Sequence, residues 1–205
     1  MTRGFFISFE GGEGAGKTTQ LRLLTDKLQK ARKVVVATRE PGGTPGAEAI
    51  RKLLVNGDAY EWDAHTETLL HFAARRDHVE KLIKPALDEG SFVLCDRFFD
   101  STYAYQGYGQ GLDLNTLDAV RAATIGDLKP DLTLLLDLPA EEGLKRAQEQ
   151  QRYERLPLPF HEKLRRGFLT MAKAEPNRTK LIDATQSAEK VAGNVWALVK
   201  AAAKL

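Results

Sequence analysis

The sequence predicts an α/β fold: a five-stranded parallel sheet with helices on both faces. Three observations predict it. Short apolar runs recur along the 205 residues, and each is followed by a longer segment with helical spacing. A glycine-rich turn joins the first run to the first helix without a gap. A composition of 42% hydrophobic and 28% charged residues is that of a chain able to bury one sizeable core. Strands alternating with helices make βαβ units, whose right-handed crossovers cover both faces of a sheet.

The first strand is read at Phe5-Phe6-Ile7-Ser8-Phe9, and the first helix from Lys17 to Lys33, with Leu21, Leu24, Leu28 and Ala31 on one face. Between them Gly11-Gly12-Glu13-Gly14-Ala15-Gly16-Lys17-Thr18 fits G-x-x-x-x-G-K-[ST], the phosphate-binding loop of P-loop NTPases. The chemistry needs these residue types. Glycines let the backbone turn several N–H groups onto one phosphate, and the helix N-terminus adds positive potential there. Lys17 is placed to reach the β- and γ-phosphates, and the Thr18 hydroxyl to ligate Mg²⁺. The chain is therefore expected to bind a nucleoside triphosphate.

The second strand, Val34 to Thr38, ends in Arg39-Glu40-Pro41-Gly42-Gly43-Thr44-Pro45-Gly46, a constrained loop. Pro45 opens a helix to about Val55, Asn56-Gly57-Asp58 turns the chain, and Glu61 to Glu89 is helical. Ser91 to Asp96 is the third strand. A short helix is expected over Asp100–Gly107 and another over Asn115–Ile125. Leu132 to Leu138 is the fourth strand and Pro139 to Arg152 a polar helix. Leu156-Pro157-Leu158-Pro159 precedes a helix from Phe160 to about Ala174, Arg178 to Ile182 is the fifth strand, and Ala188 to Lys204 the last helix. There is no repeat or low-complexity segment. A single domain is expected, with a small lid at about 143–159.

A net charge of +2 gives no argument for nucleic acid or a membrane surface as partner. The single cysteine, Cys95, sits in an apolar run and has no internal disulfide partner. No signal peptide is read at the N-terminus and no run approaches transmembrane length, so the cytosol is the expected location.

Ligands of such sheets bind beyond the carboxyl ends of the strands. Asp96 closes the third strand where a magnesium-side carboxylate is placed, and Arg97 beside it suits a phosphate. Phe72 and Arg76 are four apart on one helix face. A ring beside a guanidinium suits a base, but a core Phe with a solvated Arg is the simpler account of that spacing. Arg146, Arg152 and Arg155 lie in a polar stretch that reads as a solvated face or as a lid bringing arginines onto a phosphoryl group.

Taken together, these residues resemble bacterial thymidylate kinases. The matching motifs are Phe9-Glu10-Gly11 through Lys17-Thr18-Thr19, Thr38-Arg39-Glu40-Pro41-Gly42-Gly43-Thr44, Phe72 with Arg76, and Asp96-Arg97-Phe98 through Ser101 to Ala104-Tyr105-Gln106-Gly107. The resemblance extends over nearly the whole chain. It implies transfer of the γ-phosphoryl group of ATP to dTMP, with Mg²⁺, in a homodimer. Phe72 would stack on thymine and Arg76 bond its edge. Arg39, Arg51 and Arg97 would grip the dTMP phosphate. Ser101, Thr102 and Gln106 would line the base pocket, and Tyr105 would crowd the sugar C2′. Glu13 would face the acceptor, and Asp96 would hold Mg²⁺ with Thr18. Asp183-Ala184-Thr185-Gln186 would form part of the adenine pocket. The loop carries no arginine between Gly11 and Thr19, so Arg152 and Arg155 are the expected catalytic arginines of a lid-arginine type. The rival is a kinase for another nucleoside monophosphate or a deoxynucleoside; a non-enzymatic ATP switch leaves the Asp96-to-Gln106 block unexplained.

Overall fold

The structure, a computed structural model, describes residues 3–56, 61–147 and 152–205. Five strands, β1 (Phe5–Glu10), β2 (Val35–Arg39), β3 (Phe92–Asp96), β4 (Leu132–Asp137) and β5 (Thr179–Asp183), form one all-parallel sheet in the order β2-β3-β1-β4-β5. The period of two that makes each strand sorts its side chains between the faces. Ile7 and Phe9, Phe92 and Leu94, and Leu132, Leu134 and Leu136 enter one core, under α1 (Lys17–Lys30) and α9 (Ala188–Ala203). Phe6, Val93 and Cys95 point the other way, into the core under α3 (Ala64–His78), α4 (Lys84–Asp88) and α6 (Leu114–Ile125). Leu135 meets α8 (Leu158–Ala174) on that same second face. Phe6, Ile7 and Phe9 are wholly buried, each contributing about 1.5–3 kcal/mol relative to exposure.

Helix starts follow local chemistry. The Thr44 hydroxyl caps α2 (Pro45–Val55), where Pro45 needs no N–H partner, and Asp63 caps α3 through Thr66 N–H. The long helical region expected over Glu61–Glu89 is α3, a π-helical turn at Val79–Ile83, and α4. Pro85 donates no N–H to the preceding turn, and the helix widens just before it. A helical block at α5 (Phe99–Thr102) continues into a second π-helical turn, Tyr103–Gly109. The polar helix read over Pro139–Arg152 is α7 (Ala140–Arg146), ending at Ala147, while residues 152–155 form a turn. Residues 148–151, the middle of the lid reading, and Gly57-Asp58 of the turn before α3 lie outside the described residues. Among the described residues no helix is long and apolar enough to cross a membrane.

Register brings the functional strand ends to one edge. Phe9 pairs with Asp96, Arg39 with Asp96, and Asp137 with Asp183. The loops after β1, β2 and β3 therefore open onto one cleft of about 960 Å³.

Candidate active site

The loop after β1 turns through Gly11 at φ 138° and Gly14 at φ 66°, a region other residues enter only with strain. Close approach adds a second reason: a Cβ on Gly14 would lie 2.1 Å from the Gly143 carbonyl oxygen of α7. Lys17, opening α1, donates Nζ to the carbonyls of Gly11 (3.1 Å) and Gly12 (2.7 Å). Burial and the Arg97 charge lower its pKa, against the pull of Glu13, Asp96 and Glu10. Thr18 Oγ1 donates to Asp96 Oδ2 at 2.6 Å. A hydroxyl and a carboxylate side by side at the phosphate loop form the all-oxygen set that a hard cation takes, so these residues fit Mg²⁺.

Arg97 follows β3 in a left-handed conformation, φ 69°. Its N–H donates to Phe9 O (2.9 Å), and the next N–H, of Phe98, to the buried Glu10 Oε1 (2.7 Å). The guanidinium donates Nη2 to both Glu13 oxygens (3.0 and 2.9 Å) and Nη1 to Gly11 O (3.1 Å) and Ser101 Oγ (3.2 Å). Tyr105 donates its hydroxyl to the same Glu13, and the Arg97 guanidinium lies 5.0 Å from the Tyr105 ring centre. Burial alone would raise the Glu13 carboxyl, but Arg97, Lys17 and the Tyr105 bond outweigh it and hold the pKa at about 2. Glu10 is raised to about 8 by burial and by Asp100, against the Ser101 hydroxyl, Arg97 and the Phe98 N–H. Arg39 and Arg51 line the same cleft, Arg39 donating to Glu48 (3.2 Å) and Arg51 to Pro41 O (2.8 Å). Arg39, Arg51 and Arg97, which the resemblance groups together, thus line one cleft with Asp96 and Thr18.

The base-side reading needs correction. Phe72 is wholly buried among Phe6, Val79 and Phe98, with a neighbouring guanidinium, that of Arg75, 4.6 Å above its ring. Arg76 is exposed, donates to Thr124 O (2.9 Å) and pairs with Glu80. Neither lines the cleft. The residues of α3 that do are His71 and Arg75, one position earlier, since each residue rotates a helix face by about a quarter turn. Phe72, Val79, Ile83 and Ala86 make one apolar stripe, visible only over a window longer than the six residues from 71 to 76.

Arg75 is also buried, and held from behind. Nε donates to Glu40 Oε2 (2.6 Å) and Nη2 to Thr102 Oγ1 (3.1 Å), while Nη1 is buried without a partner. Glu40 is fixed in turn by His78 Nδ1 (3.0 Å), whose Nε2 meets Thr38 Oγ1 (2.7 Å). His71 Nε2 lies 3.3 Å from the Tyr153 hydroxyl. Burial and the charges of Arg75, Arg152, Arg97 and Arg51 push the His71 pKa down to about 3, so its imidazole is neutral. Ser101, Thr102, Tyr105 and Gln106 all line this end of the cleft. Their polar atoms are engaged within the protein: Ser101 Oγ donates to Glu10 (2.6 Å), Thr102 receives Arg75, and Gln106 Nε2 donates to Glu67 (2.9 Å). Gln106 Oε1 is buried without a partner.

The lid arginines separate. Arg152 is buried in an ion pair with Glu67 of α3 and is not presented to the loop of Lys17. Arg155 is exposed and does not line the cleft. Arg146 does line it, donating Nη1 to Ala184 O (3.0 Å) after β5. Gln186 donates to Asp183 Oδ2 (2.9 Å) outside the cleft lining. Glu10, Glu40, Glu67, His71, Arg75 and Tyr153 were not singled out from sequence. Glu10 and Glu40 carried a signal, each standing inside a motif on which the resemblance rests.

Comparison with known proteins gives the family. The sequence model of the family described as "Thymidylate kinase" matches residues 9–195. The thymidylate kinase of Caulobacter vibrioides is 57% identical over 187 residues, 90% of each chain. That of Bradyrhizobium sp. (strain ORS 278) is 53% identical over 204 residues, 97% of this chain and 90% of the relative. The crystal structure of thymidylate kinase from Ehrlichia chaffeensis superposes with a TM-score of 0.81 at 36% identity, covering 96% of this chain and 99% of that one. A phosphate loop, an Asp-Arg strand end and a cleft wall of arginines on this sheet order accompany a match over nearly the whole sequence, and the chain belongs to the thymidylate kinase family of phosphotransferases.

Proposed function

We propose that the chain transfers the γ-phosphoryl group of ATP to dTMP, giving dTDP and ADP. The observation that carries the acceptor reading is the buried, unpartnered Nη1 of Arg75 at the base end of the cleft. A buried donor without a partner costs about 1–3 kcal/mol, so the site is built for an acceptor atom that the ligand brings. A pyrimidine carbonyl supplies one. His71 takes the stacking place that the resemblance gave to Phe72, as a neutral imidazole face beside Tyr153. Arg39, Arg51 and Arg97 bind the acceptor phosphate; the Gly11–Thr18 loop and Lys17 bind ATP. Thr18 and Asp96 would hold Mg²⁺, which supplies charge neutralisation at the transferring phosphoryl group.

The acceptor is already an anionic phosphate, so the reaction needs no strong base. It needs two repelling groups aligned in line and their charge offset. Arg97, held by Glu13, Ser101 and Gly11, arrives preorganised. Arg146, which lines the cleft beside Gly14, is the lid-side arginine placed to join it. Residues 143–159 act as a lid on a single domain. The protein works in the cytoplasm and as a homodimer; exposed Leu53 and Leu69 on the packed helices α2 and α3 support a shared face.

The test is ADP formation from Mg·ATP with a panel of nucleoside monophosphates and thymidine. dTMP is expected to be the preferred acceptor, with residual activity on dUMP, because one methyl group in a pocket discriminates by only ~1–3 kcal/mol. Equal turnover with thymidine, or ADP formation independent of any acceptor, refutes the reading.

A further inference from the structure

We propose that His78 is a positioning residue: through Glu40 it ties Arg75, at the base end of the cleft, to the loop that carries the acceptor-phosphate arginines, and so sets the spacing at which the two ends of the acceptor are held. This rests on dTMP being the acceptor. His78 closes α3, is wholly buried and does not line the cleft, so it is not placed to touch a substrate. Its Nδ1 donates to Glu40 Oε1 (3.0 Å), while the other carboxylate oxygen takes Arg75 Nε (2.6 Å). The Arg75 and Glu40 side chains are 2% and 3% exposed. Nε2 of the same imidazole lies 2.7 Å from Thr38 Oγ1 of β2. Thr38 and Glu40 flank Arg39, so one ring holds the chain on either side of a phosphate arginine. The loop also packs on the ring itself: a Cβ on Gly43 would lie 2.5 Å from His78 Nε2. Next to His78, Asp77 accepts the Thr44 hydroxyl (2.5 Å), and Arg51 reaches the same loop at Pro41 O (2.8 Å).

A carboxylate only accepts hydrogen bonds, and a buried one is tolerated where donors surround it. Arg75 and His78 stand three apart on one face of α3 and close on the two oxygens of a single carboxylate from the loop after β2. The Glu40 backbone is fixed as well, its N–H donating to Asp96 O (2.9 Å). With both oxygens held, the carboxylate has one orientation and Arg75 Nε one place to go. Nη2 then reaches Thr102, and Nη1 is left for the base. An arginine side chain is costly in rotamer entropy to fix, and fixing it in the fold removes that cost from the binding step. Without the His78 bond, Glu40 can swing with Arg75 attached, and the gap between Arg75 and Arg39 is no longer set. A misplacement of about 1 Å in a positioned site costs about 10²-fold.

The experiment compares wild type with His78→Asn and His78→Gln. Both lose the ring and should lose similar stability. An Asn amide stands where Nδ1 stood and keeps a donor for Glu40; a Gln amide reaches the place of Nε2 and does not. His78→Gln is expected to raise KM for dTMP about 10–150-fold, the worth of a hydrogen bond to a charged group, with KM for ATP unchanged, and His78→Asn to stay near wild type. A KM for dTMP in His78→Asn as high as in His78→Gln, or higher, overturns the proposal and leaves His78 a core residue. So does a KM for ATP that rises in step with that for dTMP. Where neither variant folds, Thr38→Val decides: it removes the hydroxyl on Nε2 and should raise KM for dTMP about 2–12-fold, an unchanged KM overturning the proposal. Solvent exchange of the Arg75 Nε–H, followed by ¹⁵N NMR and assigned by its loss in Arg75→Gln, needs no substrate. Faster exchange in His78→Gln than in His78→Asn supports the positioning role, and equal rates refute it. If wild type phosphorylates no dTMP, the functional reading fails while the exchange result still decides what His78 does.

Discussion

Phe72 and His71 are neighbours in sequence with opposite duties, and substituting each in turn separates them. In Phe72→Leu the ring is replaced inside a packed core. Repacking at similar volume costs up to about 1.5 kcal/mol. The ring also lies under the Arg75 guanidinium at 4.6 Å, an interaction of roughly 0.5–2 kcal/mol. Together these give a loss of about 1–3 kcal/mol, or a fall in melting temperature of ~2–12 °C for a chain of this length. KM for dTMP should stay as in wild type. In His71→Ala the cleft loses a ring face worth about 1–3 kcal/mol per stacked base, so kcat/KM for dTMP should fall roughly 5–150-fold with little change in melting temperature. Thermal melts and steady-state kinetics on the two proteins suffice. A raised KM in Phe72→Leu at unchanged melting temperature would refute the assignment of helix faces, and with it the place of Arg75.

Gly143→Ala should leave α7 helical but reduce kcat: a Cβ there lies 2.3 Å from Glu13 O, and displacing a phosphate loop by about 1 Å costs about 10²-fold. Wild-type turnover in that variant would show that the loop gives way. Arg75→Gln should lower kcat/KM for dTMP by about 10–150-fold, a charge-assisted hydrogen bond being worth about 1.5–3 kcal/mol, and should destabilise the fold by leaving Glu40 short of a partner; kinetics with ATP saturating and a urea melt check it. On acidification two groups should each cost stability, against Glu10, which is raised to about 8 and adds stability as pH falls from about 8 to 4.5. His71, depressed from its usual 6.5 to about 3, stays neutral in the fold while the unfolded chain takes up a proton, so its contribution is lost as pH drops from about 6.5 towards 3. Glu13, depressed from 4.5 to about 2, loses its contribution below about pH 4.5. Urea midpoints across about pH 7 to 3 should drop less from about pH 6.5 downwards in His71→Ala than in wild type, and less below about pH 4.5 in Glu13→Gln.

Much of this was legible in the sequence, for a definable reason. The strands and the phosphate loop depend on local patterns, and the Asp96-Arg97 pair is aimed by a strand end, so neither needs knowledge of distant residues. Arg39 ends β2 at the same edge, whereas Arg51 lies within α2 and comes only from what the resemblance implies. For Phe72 and Arg76 the role implied by the resemblance failed, while the simpler account from spacing, a core Phe with a solvated Arg, is what the structure has: four-residue spacing does not say which face looks at the core. That choice is made by Val79, Ile83 and Ala86 further along. Arg152 failed because its partner Glu67 lies far away in the chain, and a charged residue in a polar stretch carries no sign of burial. His78, Glu40 and Glu10 escaped notice for the same reason: each serves the site by holding something else, and only tertiary contact reveals that.

The left-handed turn at Arg97 has a consequence for how the enzyme meets its substrate. That conformation costs an L-residue about 1–2 kcal/mol, and the bonds to Phe9 and from Phe98 to Glu10 hold it in place during folding. The torsional freedom of this arm is therefore surrendered once, when the chain folds, and not again each time a nucleotide arrives. What the anion gains from meeting it is kept for the encounter itself.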